Sequence, residues 1–225
     1  GMLRFQLLKK GPEPMANDIT KPLGLVAAGY AVQLKEHGAT PMGVLWSDKE
    51  GQELRFRILM ELIEADINNG GLTINDLGCG YGAFFEFLKD MPLLEGGHYY
   101  GFDICDDMVE AAKQRISDPR AVFMESSFAT QKADYSFASG TFNMKGTEPD
   151  KDWSQYVKES LRQLFSQSAK GMAFNILDSR QSERQEWLYY ADPEELLDYC
   201  RSTLSPKVKL IDGYPLKEAT ILVGK

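Results

Sequence analysis

INDLGCGYGAFFEFL, residues 74–88, carries the reading of the fold. An apolar run is broken by Gly78, Gly80 and Gly82 and then resumes, which is the pattern of a strand, a tight turn and a helix N-terminus. Such a turn aims backbone amides and a helix dipole at whatever lies above it. Gly78, Gly80 and Ala83 satisfy the G-x-G-x-x-G/A dinucleotide pattern, whereas Gly78, Gly80 and Gly82 satisfy a tighter G-x-G-x-G. The glycines alone leave two ligands open, a pyrophosphate or something with no phosphate at all.

On the C-terminal side the chain alternates strand and helix, as a parallel sheet covered on both faces requires. Strands are expected at 72–77, 98–103, 121–125, 133–139 and 171–177, with helices at about 82–90, 106–117 and 151–169. Asp192 followed by Pro193 opens another helix. Two closing strands, KVKLIDG and KEATILVG, are separated by a link that suits an antiparallel hairpin and is too short for a parallel crossover.

On the N-terminal side, residues 2–20 show no periodicity and read as a loose arm, and a helix is expected from Leu23 to Glu36. Ser47 and Glu50 have the spacing of a capping box, opening a helix with an apolar stripe of Leu54, Ile58, Leu59, Leu62 and Ile63 that stops at NNGG, 68–71. The expected organisation is an N-terminal arm and helical lid over 1–46 and one α/β domain over 47–225. That domain is a doubly wound, seven-stranded, mostly parallel sheet with an antiparallel C-terminal hairpin.

Composition bounds the function. With 225 residues, 43% of them hydrophobic, the chain can bury one sizeable core. Lys plus Arg number 25 against 33 Asp plus Glu, a net charge of -8 without a long basic run, which disfavours a nucleic-acid groove and favours small-molecule chemistry. No apolar span is long enough to cross a membrane. Cys79, Cys105 and Cys200 lack zinc-like or CxxC spacing, so no metal is expected, and thiol usage points to a reduced, cytoplasmic setting.

Two carboxylates narrow the ligand. Asp76 lies two residues before Gly78, where an anion would repel a pyrophosphate but attract a cationic amino group. Asp103 ends the next strand, 25 residues after Gly78, where it can accept both hydroxyls of a ribose, a feature shared by NAD and adenosyl ligands.

NDLGCGYG (75–82) followed by YYGFD (99–103), with the closing strand pair, resembles the class I S-adenosylmethionine-dependent methyltransferases over roughly residues 47–225. HGATPMGVLWSDKEGQELRF (37–56), DYSFASGTFN (134–143), LYYADP (188–193) and KEATILVGK (217–225) are similar to a little-characterised subgroup of these enzymes. The resemblance implies S-adenosyl-L-methionine as cofactor. It sets Gly78, Gly80 and Gly82 against the methionine part, Asp76 near its amino group, Asp103 on the ribose and Ile104 against the adenine. In relatives an acidic residue after the third strand meets the adenine amine; here Ser126 or Ser127 stands in its place. Ser139 and Gly140 fall where relatives line the cofactor and acceptor pocket. Trp46, Gln52 and Arg55 resemble a lid in which Arg55 meets the methionine carboxylate.

The implied activity is methylation of a small-molecule acceptor. Positioning supplies most of the catalysis of such an in-line transfer, so a nucleophile is not required and no base stands out. Tyr189, Tyr190, Asn143 and His37 are the available pocket polars. An Asn/Asp-Pro-Pro-Tyr motif is absent after the fourth strand, which disfavours nucleic-acid bases and glutamine amides. The competing readings are an NAD-linked oxidoreductase and a non-catalytic adenosyl-binding module. For single residues the plain alternatives are packing for Cys79, Cys105 and Trp46, solvation for His37 and His98, and a plug at the sheet edge for Tyr189 and Tyr190.

Overall fold

The computed structural model describes residues 20–40 and 48–225. Helix α1 (Thr20–His37) precedes α2 (Lys49–Leu59), which runs on through a 3-10 segment, Met60–Asp66. The remainder alternates as β1 (Thr73–Leu77), α3 (Ala83–Leu88), β2 (His98–Asp103), α4 (Asp106–Arg115), β3 (Ala121–Glu125), β4 (Ala133–Ala138), α5 (Asp150–Ser166) and β5 (Ser168–Asp178). It closes with β6 (Tyr190–Ala191), α6 (Pro193–Thr203), β7 (Val208–Ile211) and β8 (Glu218–Gly224).

The sheet order is β3-β2-β1-β4-β5-β8-β7, with β6 extending beside the end of β5. Strands β1 to β6 pair in parallel and β8 runs antiparallel to both β5 and β7, so the expected doubly wound architecture with a closing hairpin is present. Winding reverses between β1 and β4, and a crevice opens at the carboxyl ends of strands at such a reversal. Gly78 follows β1 and Ser139 follows β4 at that point.

Period-two alternation builds the core. In β5, Met172, Phe174 and Ile176 join the layer of α5 and α6, while Ala173 joins the opposite layer with Phe56 of α2 and Phe84, Phe85 and Leu88 of α3. Phe56 stacks on Phe84 with ring centroids 4.9 Å apart, pinning α2 to the helix that follows the glycine turn. Trp153, fully buried on α5, donates its indole N–H to the Phe142 carbonyl at 2.8 Å and ties that helix to the segment after β4.

Some boundaries differ from the sequence reading. The N-cap of α2 is Asp48, whose carboxylate accepts the Gly51 amide; Ser47, the expected cap, lies outside the described residues. The expected apolar helix through Ile63 changes to 3-10 geometry at Met60, with Ile63 at φ −108°, ψ 17°. Helix α5 stops at Ser166 rather than 169 because Ser168 already pairs with Ala133 in the sheet. Strand β6, too short to show a period, was not expected.

Candidate functional site

A cavity at the β1/β4 reversal is lined by residues following β1, β2, β3, β4 and β5 and roofed by Leu23, Val26 and Tyr30 of α1. It gathers Asp76, Gly78, Gly80, Asp103, Ile104, Ser126, Ser127, Ser139, Gly140, Gln52 and Arg55, so residues scattered from position 52 to position 140 share one wall. Gly82 is not on that wall. At φ +93° it caps α3, and a Cβ there would lie 2.4 Å from Ile116 Cδ1 and 3.1 Å from Phe123 Cζ; its smallness serves helix-to-strand packing. Trp46 lies outside the described residues.

The glycine turn is tied down by the protein itself. The amides of Gly78 and Cys79 both donate to the Phe102 carbonyl (2.7 and 3.0 Å), that of Gly80 to Asp103 Oδ2 (2.8 Å) and that of Gly82 to the Cys79 carbonyl (3.0 Å). A pyrophosphate cradle needs such amides turned toward the ligand. Here they are consumed, and the charges nearest the turn are carboxylates. Gly78 has φ +78°, and a Cβ on it would sit 2.6 Å from Thr141 Oγ1, which itself donates to the Leu77 carbonyl at 2.6 Å. Gly78→Ala is expected to cost about 1–3 kcal/mol of stability; denaturant melts measure it, and an unchanged midpoint would show that the turn tolerates a side chain.

Asp103 holds the turn from the β2 side. Its Oδ2 accepts from Gly80 and its Oδ1 from the Cys105 amide at 2.9 Å, and each oxygen keeps capacity for a further donor. Burial pushes its carboxyl up to about 6, against the opposing effect of those two amides. Asp76, 3% exposed, accepts the Tyr99 hydroxyl at 2.5 Å; burial, reinforced by Asp103, pushes it up to about 7 in spite of that bond. Since both values exceed that of an unfolded aspartate, the folded state binds extra protons between pH 4 and 7 and loses stability as pH rises through 6 and 7. Asp76→Asn keeps an acceptor for Tyr99 and removes the buried charge, so we expect it to raise stability at pH 8 by on the order of 2–4 kcal/mol and to change little at pH 4. Urea titrations at both pH values test this, and equal effects at the two would refute it.

The other expected residues are placed more finely than sequence allowed. Ser126 donates its hydroxyl to the Phe128 carbonyl at 2.7 Å and accepts the Phe128 amide, so it serves its own turn and leaves Ser127 the less committed of the two. Ser139 Oγ and the Gly140 amide are both held by the Asn175 amide group, at 3.0 and 2.7 Å. Arg55 donates from Nε to Glu218, both side chains buried, so a ligand carboxylate would share the guanidinium with Glu218. Burial raises Glu218 to about 6 although Arg55 opposes the shift. Among the pocket polars, Asn143 lines the cavity and Tyr189, Tyr190 and His37 do not.

Sequence reasoning missed Tyr30, Thr141 and Asn175. Asn175, 1% exposed, had a visible signal: a single amide inside the otherwise apolar strand GMAFNIL. Tyr30 had none, because only the packing of α1 brings it near Asp103, whose charge joins burial in raising the phenol above its ordinary range.

The wall suits S-adenosylmethionine. Two buried carboxylates favour a ligand bearing a sulfonium and an ammonium, Ile104 and Met108 offer an apolar surface to a base, and Asp103 has spare acceptor capacity for a diol.

Comparison with known proteins agrees. A family model described as a methyltransferase domain matches residues 74–166, from β1 to the end of α5. Rv1506c of Mycobacterium tuberculosis (strain ATCC 25618 / H37Rv), a protein carrying a methyltransferase designation, is 39% identical over 156 residues, covering 68% of this chain and 93% of that protein. Magnesium protoporphyrin IX methyltransferase from Synechocystis PCC 6803, solved with bound S-adenosylmethionine, superposes with a TM-score of 0.64 at 15% identity over 93% of this chain and 100% of its own. Human N-acetylserotonin methyltransferase, also in complex with that cofactor, gives 0.63 at 15% identity over 93% of this chain and 60% of its own. At such identities the two structures speak for the fold. The relationship to Rv1506c, which spans nearly all of that protein, decides against an oxidoreductase or a non-catalytic module: the chain belongs to the class I S-adenosylmethionine-dependent methyltransferase family.

Proposed function

We propose that the enzyme methylates a small molecule held in the same cavity as the cofactor. The observation that carries this reading is the reach of the cavity: a single lining includes Asp76 and Asp103 and, beyond the cofactor residues, Trp187 and Leu188, with Leu23, Val26 and Tyr30 of α1 among the residues that close over it. In this reading Gly78, Gly80 and Asp76 hold the methionine part, Asp103 the ribose, Ile104 and Ser127 the adenine, and Ser139 and Gly140 the side facing the acceptor. The catalytic domain begins at residue 47, and helix α1 from the preceding segment serves as its lid. Among the described residues no helix is long and apolar enough to cross a membrane, and the three buried cysteines are free thiols, which supports a cytoplasmic setting.

When bound, the cofactor supplies a methyl group on a sulfonium, so the protein has no electrophile to generate. Its residues bind and orient. Asp76 pairs with a cation, the Phe102 carbonyl and Asp103 keep the turn in one conformation, and α1 excludes water. Ion pairing needs Asp76 ionised. Cofactor affinity is therefore expected to rise by several-fold between pH 6 and pH 8, through the value of about 7, and to lose that pH dependence in Asp76→Asn.

Calorimetric titration with S-adenosylmethionine, S-adenosylhomocysteine and NAD tests the cofactor assignment, with binding expected of the first two. Release of S-adenosylhomocysteine that depends on an added small molecule tests the acceptor. Turnover on an RNA or protein substrate, with none on any small molecule, would overturn the small-molecule reading.

A further inference from the structure

The cavity wall beyond the cofactor residues has a chemistry of its own. After β4 the chain passes Ser139, Gly140 and Thr141 and reaches Asn143, whose backbone is fixed on both sides. Its amide donates to the Gly140 carbonyl at 3.3 Å, and its carbonyl accepts the Tyr189 amide at 2.8 Å. Met144 forms a bridge with Leu188, and the amides of Lys145 and Gly146 both donate to the Trp187 carbonyl at 3.1 Å. Asn143 is thus stitched between the segment that ends β4 and the segment that enters β6.

Its side-chain Oδ1 is buried and has no hydrogen-bond partner in the protein. A buried amide oxygen left so costs stability unless a ligand supplies the donor. The cavity that Asn143 lines also carries the apolar and aromatic side chains of Leu23, Tyr156, Leu177, Trp187 and Leu188, the last of them bridged to Met144 next to Asn143. Among the described residues the charged ones on the cavity wall are Arg55, Asp76 and Asp103, and Arg55 is engaged by Glu218. With Arg55 already paired, an anionic guest would be buried without a cation to compensate its charge.

Resting on the small-molecule reading above, we infer that the acceptor is an uncharged, ring-bearing molecule that donates one O–H or N–H to Asn143 Oδ1. Asn143 is a specificity-determining residue: it fixes which end of the guest lies against the Gly140 side, where the cofactor is placed, while the aromatic wall holds the ring. A guest without the donor leaves the amide oxygen unpaired and is rejected on that account.

The test uses three probes of one shape: 2-naphthol, 2-methoxynaphthalene and 2-naphthoate. Each is titrated calorimetrically into the 225-residue protein saturated with S-adenosylhomocysteine. 2-Naphthol should bind about tenfold more tightly than the methoxy compound, and the naphthoate more weakly than either. In Asn143→Leu, close in shape but lacking the acceptor, the two neutral probes should become equal while affinity for S-adenosylhomocysteine stays within about twofold and the melting temperature shows a folded protein. Asn143→Ala repeats the comparison should the Leu variant fail to fold. Equal discrimination with and without the Asn143 amide would overturn the inference, as would preferred binding of the naphthoate, or no binding of any probe to protein that holds S-adenosylhomocysteine. Failure of S-adenosylhomocysteine itself to bind the unaltered protein would overturn the cofactor reading on which the inference rests.

Discussion

Arg55→Met is expected to lower stability by about 3–5 kcal/mol at pH 8, the ordinary cost of leaving one partner of a buried ion pair behind. Arg55 enters from α2 and Glu218 from the first position of β8, and both side chains are buried, at 9% and 3% exposure. Glu218 already sits at about 6 with the guanidinium beside it, above its unfolded value of 4.5. Its charged form is the costly one, so removing Arg55 raises it further, and the deficit should grow as pH rises from 5 to 8. Glu218→Gln in the Arg55→Met background should restore most of the loss. Urea unfolding at pH 5.5 and pH 8 checks both statements; a deficit independent of pH, or a double variant no better than the single, would show that the pair is not what holds α2 to β8. The restored double variant also isolates the cofactor role of Arg55, since unchanged affinity for S-adenosylhomocysteine in it would remove the guanidinium from the binding set.

Asp103→Ala should abolish most cofactor binding. Contacts to a ribose diol account for about 1–3 kcal/mol. The same substitution strips the buried amides of Gly80 and Cys105 of their acceptor and loosens the turn on which the ligand lies. The combined loss is expected to exceed about 100-fold in affinity, near 3 kcal/mol. Asp103→Asn retains one carbonyl oxygen and should fall between, with a loss of about tenfold. Calorimetry with S-adenosylhomocysteine decides: affinity within about threefold of the unaltered protein in Asp103→Ala would take this residue out of the site.

Both variants combine features that were legible in the sequence with features that were not. Asp103 could be read because its place depends on local order: a strand end at fixed spacing from a glycine turn admits few positions. The double duty of its oxygens could not, since it follows from how β1 and β2 lie side by side in register, Leu77 opposite Phe102. Arg55 was placed in the site by the resemblance of its segment to a methyltransferase lid. Its partner lies 163 residues away on the last strand, and only the antiparallel seating of β8 on β5 brings the two together.

By itself the sequence determined the main elements and their order along the chain, though not the two-residue strand β6. Periods of two and 3.6 residues are local, and a glycine turn between strand and helix carries its own conformational demand, so the doubly wound sheet, the closing hairpin and the acidic partners of INDLGCGYG could be read from neighbours in the chain. Which glycines face a ligand was a tertiary matter. Gly78 meets Thr141 after β4 and Gly82 meets Ile116 and Phe123, contacts that exist only once the strands are laid in the order β3-β2-β1-β4. Tertiary structure likewise turned the turn's amides inward, seated Tyr30 near Asp103 and left Asn143 Oδ1 buried without a partner. Each of these depends on the burial of one group by residues distant in sequence, and burial is a property of the packed whole.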